Sequence, residues 1–340
     1  MKVSCVRVPR EDGEATRRAL ADADLIDRDA EIDEEEGFLY IPVSDPGAVP
    51  TGYDVVEHDV DRREDQTLPG DLLGVEPTYE RLGEIAIIDE DDPERAREVA
   101  TAIADADLPL STVINKRSAV KGTERVRDWE VLVGEGTETV HREYGSTFAL
   151  DVTKVYFSPR LATERHRVIE QVEPGERAFD MFAGVGPFAV PMAIGGADVV
   201  GVDINPEAIA YLEENARRNG VSDRVTAIHG DVREVAPDYA GWADRIVMNL
   251  PHSADDFLDA AVTIAGEACT LHYYDIQPEE APFEPGERAV RDTAESAGYD
   301  VTVEARHVVR SYSPREVNVC LDVRLTRNGA AGDASGNRNP

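Results

Sequence analysis

The segment Arg177-Ala-Phe-Asp-Met-Phe-Ala-Gly-Val-Gly-Pro-Phe188 constrains this chain more than any other. A short apolar run closes on the carboxylate of Asp180. Glycines follow at 184 and 186, and a helical pattern runs from Pro187 to Ile194. That is a strand, a glycine turn and a helix start. Glycine lets the backbone approach a ligand, and a helix N-terminus offers unbonded N–H groups. A second run, Val199-Val-Gly-Val-Asp203, also ends in a carboxylate, where the hydroxyls of a ribose would lie. The pattern predicts a parallel sheet with a nucleotide-like ligand across the carboxyl ends of its strands. The third glycine of the dinucleotide fingerprint is absent.

At 340 residues the chain is long for one domain. Residues 1–62 read as a β-α-β-β unit: strands at 3–8, 38–43 and 53–60, with a helix at 13–25. Residues 63–70 are polar, end in Pro-Gly and predict a linker. Residues 71–147 read as a second small α+β domain, with a strand at 84–89, a helix at 93–106 and short strands near 111–115, 129–133 and 137–141. From 148 to 326, strands and helices alternate in the doubly wound manner and close on a hairpin around Ser311-Tyr-Ser-Pro-Arg315. Residues 327–340 have the composition of a disordered tail.

Asp and Glu number 69 against 35 Lys and Arg, a formal charge of −34. Taken alone, that charge argues against a nucleic-acid partner. The acids are spread along the whole chain, however, and lysine occurs only at 2, 116, 121 and 154. Such a surface resembles that of a halophile's cytosolic protein, where molar salt screens charges over about 3 Å. The cations that remain, among them Lys116, Lys121, Lys154, Arg125, Arg127, Arg160 and Arg165, gather upstream of the glycine turn, as phosphate contacts require. Cys5, Cys269 and Cys320 form no metal-ligand or disulfide spacing, so no metal is expected. No run reaches the roughly 18 apolar residues of a membrane span. A cytoplasmic protein without a membrane partner, and monomeric, is expected.

Four strand ends offer binding groups: Asp180 and the Gly184/Gly186 turn with Phe182; Asp203 with Ile204 and Asn205; Asp231 and Val232 after Gly230; and Asn249. The Asp before the turn and Asp203-Ile-Asn-Pro206 after it look like a class I S-adenosylmethionine-dependent methyltransferase: an α/β, Rossmann-like sheet with an antiparallel end. The resemblance implies S-adenosyl-L-methionine as cofactor. Asp180 and the turn would face its methionine portion, Asp203 its ribose, and Asp231 its adenine amino group. Any of these aspartates could equally be a helix cap.

Asn249-Leu-Pro251 resembles the Asn/Asp-Pro-Pro-aromatic motif of methyltransferases acting on planar nitrogens. Asparagine is both donor and acceptor, and proline fixes the loop without adding an N–H. Together with Tyr156-Phe-Ser-Pro-Arg-x3-Glu-Arg165 and Met248-Asn-Leu-Pro-His-Ser-Ala254, these motifs resemble the archaeal and eukaryotic tRNA (guanine-37-N1)-methyltransferase family over nearly the whole chain. The resemblance implies tRNA as partner, held at the anticodon stem-loop and outer corner. It implies Glu164 as general base and Arg125, or Arg127 two residues on, as ligand of guanine O6. Arg165 would line the cofactor site, Tyr156 and Asn205 would lie near base and cofactor, and Pro251 would shape the base pocket. Proton loss from N1 and charge growth on O6 need such a pair. The sister family that transfers an aminocarboxypropyl group to a wyosine precursor at the same tRNA position is the nearest alternative. A non-catalytic RNA-binding protein is the alternative of another class.

Overall fold

The computed structural model describes residues 1–62, 66–118, 122 and 127–329. Arg125, part of the expected linker and most of the expected tail lie outside the described residues. The chain divides into two compact units, Met1–Leu68 and Pro69–Pro340.

In the first unit, β1 (Lys2–Pro9) precedes α1 (Gly13–Asp22), followed by β2 (Asp33–Glu35), β3 (Phe38–Pro42) and β4 (Asp54–Asp59). The sheet is antiparallel in the order β2-β3-β1-β4. Val6, Val8, Leu20, Leu25 and Ile41 bury against one another. The β-α-β-β reading lacks β2, whose Asp-Glu-Glu sequence has none of the branched or aromatic residues that mark a strand.

The second unit opens with α2 (Pro69–Leu73), β5 (Glu80–Leu82), β6 (Ile85–Ile88), α3 (Pro93–Asp105), β7 (Thr112–Lys116) and β8 (Trp129–Val133), which build a four-stranded sheet in the order β5-β6-β7-β8. A hairpin of β9 (Glu138–Glu143) and β10 (Ser146–Asp151) leads to α4 (Ala162–Ile169). Then come β11 (Arg177–Asp180), α5 (Ala189–Ile194), β12 (Asp198–Asp203), α6 (Pro206–Arg218), β13 (Val225–His229), α7 (Val232–Val235), β14 (Ala243–Met248), α8 (Leu258–Ile264), β15 (Ala265–Pro278), α9 (Glu284–Ser296), β16 (Tyr299–Ser313) and β17 (Glu316–Arg327). Their sheet runs β13-β12-β11-β14-β15-β17-β16, parallel through β15 and antiparallel beyond it. It is a class I methyltransferase sheet. The strand order reverses between β11 and β14, which opens a crevice above those two strands.

The expected boundary near 148 divides elements that share a core. Leu82, Ile85, Ile87 and Ile114 bury in the same cluster as Phe148, Val168, Phe188 and Leu212, so residues 69–147 and the large sheet make one unit.

Two asparagines fasten β10 to this core. The Ala149 N–H donates to Asn215 Oδ1 at 2.7 Å, and Asn215 Nδ2 donates to Ala149 O at 3.1 Å and Val185 O at 2.9 Å. One turn on, Asn219 Oδ1 accepts from the Thr147 N–H at 2.9 Å, and its Nδ2 donates to Thr147 O at 2.7 Å. Residues four apart on a helix thus meet alternate residues of a strand edge, doing what another strand would do. Replacing Asn215 by Ala strands buried backbone groups, at about 1–3 kcal/mol each. Asn215→Ala should therefore lower unfolding free energy by about 2–4 kcal/mol in denaturant titrations at molar KCl. A loss below about 0.5 kcal/mol would mean that water replaces the amide.

Candidate active site

The ends of β11 to β14, the segment from Tyr156 to Arg165 and the terminal hairpin enclose a cavity of about 800 Å³. One end of it is built by the glycine turn. Gly184 (φ +53) and Gly186 (φ +94) both occupy the left-handed region. A Cβ on Gly184 would meet only Tyr156 O, at 4.0 Å, whereas one on Gly186 would lie 2.6 Å from Leu212 Cδ1. Gly184 therefore opens the turn to the cavity. Gly186, which does not line it, lets α6 close on the turn.

Asp203 ends β12 and is held from behind. The Gly184 N–H donates to its Oδ2 at 2.7 Å and the Asn205 N–H to its Oδ1 at 2.9 Å. Burial raises its pKa. Its remaining lone pairs suit the hydroxyls of a ribose. Phe182, Ile204, Val232 and Phe257 supply apolar wall, with the Phe182 and Phe257 rings edge to face at 5.0 Å. Asp231 lines the cavity and also caps α7, accepting from the Arg233 N–H at 2.9 Å and from Arg233 Nε at 3.0 Å. Asn205 also lines it, but its amide is committed: Oδ1 accepts from the Glu207 N–H at 3.0 Å and Nδ2 donates to Lys154 O at 2.8 Å. Asp180 stands behind the turn, outside the cavity wall. Its Oδ2 has no partner among the described residues, and burial pushes its pKa up to about 7, with the nearby charge of Asp203 adding to the rise. This end fits S-adenosylmethionine, with Asp203 for the ribose, apolar side chains for the adenine and an open glycine turn.

At the other end, Asn249, Leu250, Pro251 and His252 leave β14, and Tyr156 and Ser158 face them from upstream. Arg165 lines the wall while 3% exposed. Its Nε and Nη2 donate to Glu143 at 2.6 and 2.7 Å, and Nη2 also donates to Ser158 O at 3.0 Å. Burial pushes the Glu143 carboxyl up, but hydrogen bonds from His141 and Arg165 outweigh it and leave the pKa below the usual range. Arg127 lines the cavity with its guanidinium 5.3 Å over the Trp129 ring.

Glu164 is 4% exposed, so it is no solvent-facing helix residue, but it does not line the cavity. Arg167 donates to both its oxygens at 2.8 Å, Tyr274 Oη donates to Oε1 at 2.8 Å, and His307 Nε2 lies 3.3 Å from Oε2.

Of the cations expected to gather around the site, Lys121 and Arg125 lie outside the described residues, and most of the others are paired with carboxylates. Lys116 pairs with Glu80 and Asp89, Arg160 with Glu80, Arg117 with Glu130, and Lys154 with Asp151 and Glu207. Acids distant in sequence were invisible to a count of neighbouring cations. His252, Phe257, Ile276, Arg310, Tyr312 and Asn318 also line the cavity. His252 stands in the Met248–Ala254 motif, whereas no motif marked the others, and only strand order brings Arg310, Tyr312 and Asn318 of the terminal hairpin to this wall.

Among the described residues one buried trio, His272, Cys320 and Asp322, has metal-ligand chemistry. Its donors are already used. Arg245 Nη1 donates to His272 Nε2 at 2.6 Å, so Nδ1 carries the proton and donates to Asp322 Oδ1 at 2.7 Å. Arg167 donates to Asp322 at 2.6 Å.

Comparison with known proteins fits this geometry. Residues 139–302 match the TRM5/TYW2 methyltransferase domain, residues 5–47 the tRNA methyltransferase 5 N-terminal domain, and residues 65–137 the TYW2 N-terminal domain. The tRNA (guanine(37)-N(1))-methyltransferase Trm5b of Pyrococcus abyssi is 40% identical, over 94% of this chain and 98% of its own. The chain belongs to the TRM5/TYW2 family. A second member of the family, the tRNA(Phe) (4-demethylwyosine(37)-C(7)) aminocarboxypropyltransferase of Pyrococcus horikoshii, is 34% identical over 76% of this chain and 93% of its own. The solved complex of aTrm5 and tRNALeu superposes with a TM-score of 0.70 at 30% identity, covering 95% of this chain and 99% of that one.

Within this TRM5/TYW2 site, Asp180 makes a pH test. Its folded pKa, about 7, lies above the unfolded value near 3.8. The neutral form is favoured by folding, so its contribution is full below about pH 4 and is lost as pH rises through about 7. Three units correspond to about 4 kcal/mol. Without cofactor, Asp180→Asn should exceed the wild type in unfolding free energy at pH 8 by an amount of that order, and match it near pH 4. A difference independent of pH would show that Asp180 is charged throughout.

Proposed function

We propose that this chain transfers a methyl group from S-adenosylmethionine to N1 of guanine 37 in tRNA, working on soluble tRNA in the cytoplasm. What carries the reading is one cavity with two chemically distinct ends. Asp203 and the Gly184 turn suit a sulfonium nucleoside, and Asn249 to Pro251 suit an amide-edged base. Bound S-adenosylmethionine would supply an electrophilic methyl group. The chain's own residues then have to orient the guanine, take its N1 proton and stabilise charge on O6. Asn249 can hold the amide edge and Pro251 shapes the loop beside it. The cation for O6 falls to the segment of Arg125 and Arg127, of which Arg127 lines the cavity. The full-length match with Trm5b favours this activity over aminocarboxypropyl transfer, because the aminocarboxypropyltransferase leaves about a quarter of the chain unmatched.

Glu164 is our first candidate for the base, on its motif and on its place beside Arg165 at the start of α4. Reaching N1 would require its carboxylate to leave Arg167 and Tyr274. A second reading rests on the wall itself. Of the described lining residues, the proton acceptors are Asp203 and Asp231, at the cofactor end, and His252, beside Pro251.

Labelled methyl transfer to transcripts carrying G37 or A37, in molar KCl, tests the activity; methylation of neither transcript, or of both equally, would refute it. Single-turnover rates at saturating enzyme then separate the bases. Glu164→Gln should lose about 10²–10⁴-fold with cofactor and RNA binding kept, and His252→Gln should lose far less. The reverse order would move the role to His252.

The first unit carries none of these groups. Deleting residues 1–68 should weaken tRNA binding while leaving the rate on saturated enzyme within about an order of magnitude. A loss of several decades at saturation would make that unit part of the active site.

A further inference from the structure

The substrate end has a polar surface that the motifs do not touch. Ile276 of β15 pairs with Asn318 of β17, and Asn318 with Arg310 of β16. The Ile276 N–H donates to Pro251 O at 3.1 Å. Pro251, Ile276, Asn318 and Arg310 therefore form one row across the sheet, and all four line the cavity. Cross-strand partners present their side chains on one face. At about 4.8 Å per strand, the Asn318 backbone stands roughly 10 Å from that of Pro251, and Ile276 between them forms a floor wide enough for one planar base above it.

Asn318 is 3% exposed, and its Oδ1 is buried with no hydrogen-bond partner among the described residues. The Nε of Arg310, next in the row, is likewise buried and unpartnered. An amide oxygen taken from water and left unpaired is unfavourable, and a ligand that donates to it removes that cost. The cofactor groups sit at the ends of β11, β12 and β13, on the other side of β14. The ligand of this row is thus the substrate.

Guanine carries one group that fits. Its exocyclic amino group donates hydrogen bonds beside the reacting N1, and neither adenine nor hypoxanthine has it at that position. A neutral amide also suits the place better than a carboxylate would. It accepts from the amino group without adding negative charge near O6, where charge grows during transfer.

We propose that Asn318 is a specificity-determining residue whose Oδ1 accepts from the 2-amino group of the target guanine, so that the enzyme prefers guanine to hypoxanthine at the same position. This rests on the methyl-transfer reading above.

The test uses the full chain and two transcripts that differ only in carrying guanine or inosine at position 37. Methylation of the guanine transcript by the wild type is the control for the activity itself; its failure sinks that reading and leaves this one without a substrate. Given that control, the wild type should methylate the guanine transcript faster than the inosine one. Asn318→Ala should lose about tenfold in kcat/KM on guanine and little on inosine, so that the preference collapses. Asn318→Asp, which keeps an acceptor, should retain the preference even if both rates fall. Calorimetric titration should give both variants wild-type affinity for S-adenosylmethionine. Equal losses on the two transcripts, or weakened cofactor binding, would overturn the proposal and make Asn318 a packing residue or a cofactor ligand.

Discussion

A line of buried charge underlies the site. It runs from Glu176 to Arg245, His272, Asp322, Arg167 and Glu164, with contacts of 2.6 to 3.1 Å at each step. The line crosses β14, β15 and β17 and ends on α4. It fixes the helix whose next residue, Arg165, lines the cavity. Exposed ion pairs are screened by salt, while buried ones are screened much less. Each member also depends on the next. Burial alone pushes the Asp322 carboxyl up, but His272 and Arg167 together hold it far below the usual range. Removing one partner from such a line leaves an uncompensated charge, typically at about 3–5 kcal/mol.

This line complicates the part assigned to Glu164. A carboxylate that accepts from a guanidinium and a tyrosine hydroxyl is a weak base until it is freed. Its terminal place in the line makes release less disruptive than it would be for Asp322, because Arg167 keeps Asp322 as a partner. The same residue can therefore anchor α4 in the free protein and take a proton in the complex, provided RNA offers new partners to Arg167 and Tyr274.

The sequence was most legible where period and punctuation agree. The helix expected at 93–106 forms as α3, Pro93–Asp105, and α3 and α6 begin at an Asp92 and an Asn205 whose side chains cap them. Asp203, Gly184, Asn249 and Pro251, which line the cavity, carry local signals: a strand-end carboxylate, a glycine turn and Asn-x-Pro. Asp180 and Gly186 carry the same local signals, yet one is enclosed behind the turn and the other makes room for Leu212. Local pattern gives the turn; which of its residues touch the ligand depends on what packs behind. β2 and β5 are three residues long, too short to give a periodic signal, and the asparagines that fasten β10 lie on a helix distant in sequence. The wall of Asn318 and Arg310 was illegible for a topological reason, since β17 inserts between β15 and β16.

Strand insertion and charge pairing together bear on how RNA is held. Most cations near the cavity already have carboxylate partners, whereas Arg310 has none among the described residues and Arg127 rests on an indole ring. Cations already paired beside the cavity release few counterions when phosphates arrive there, so their part of the affinity should depend only weakly on salt. Contacts that salt weakens least then matter more: stacking on aromatic side chains such as Tyr312 and Tyr156, and hydrogen bonds made inside the cavity. The polar interior is the place for such contacts, because Asn318 Oδ1 and Arg310 Nε are buried there without partners among the described residues.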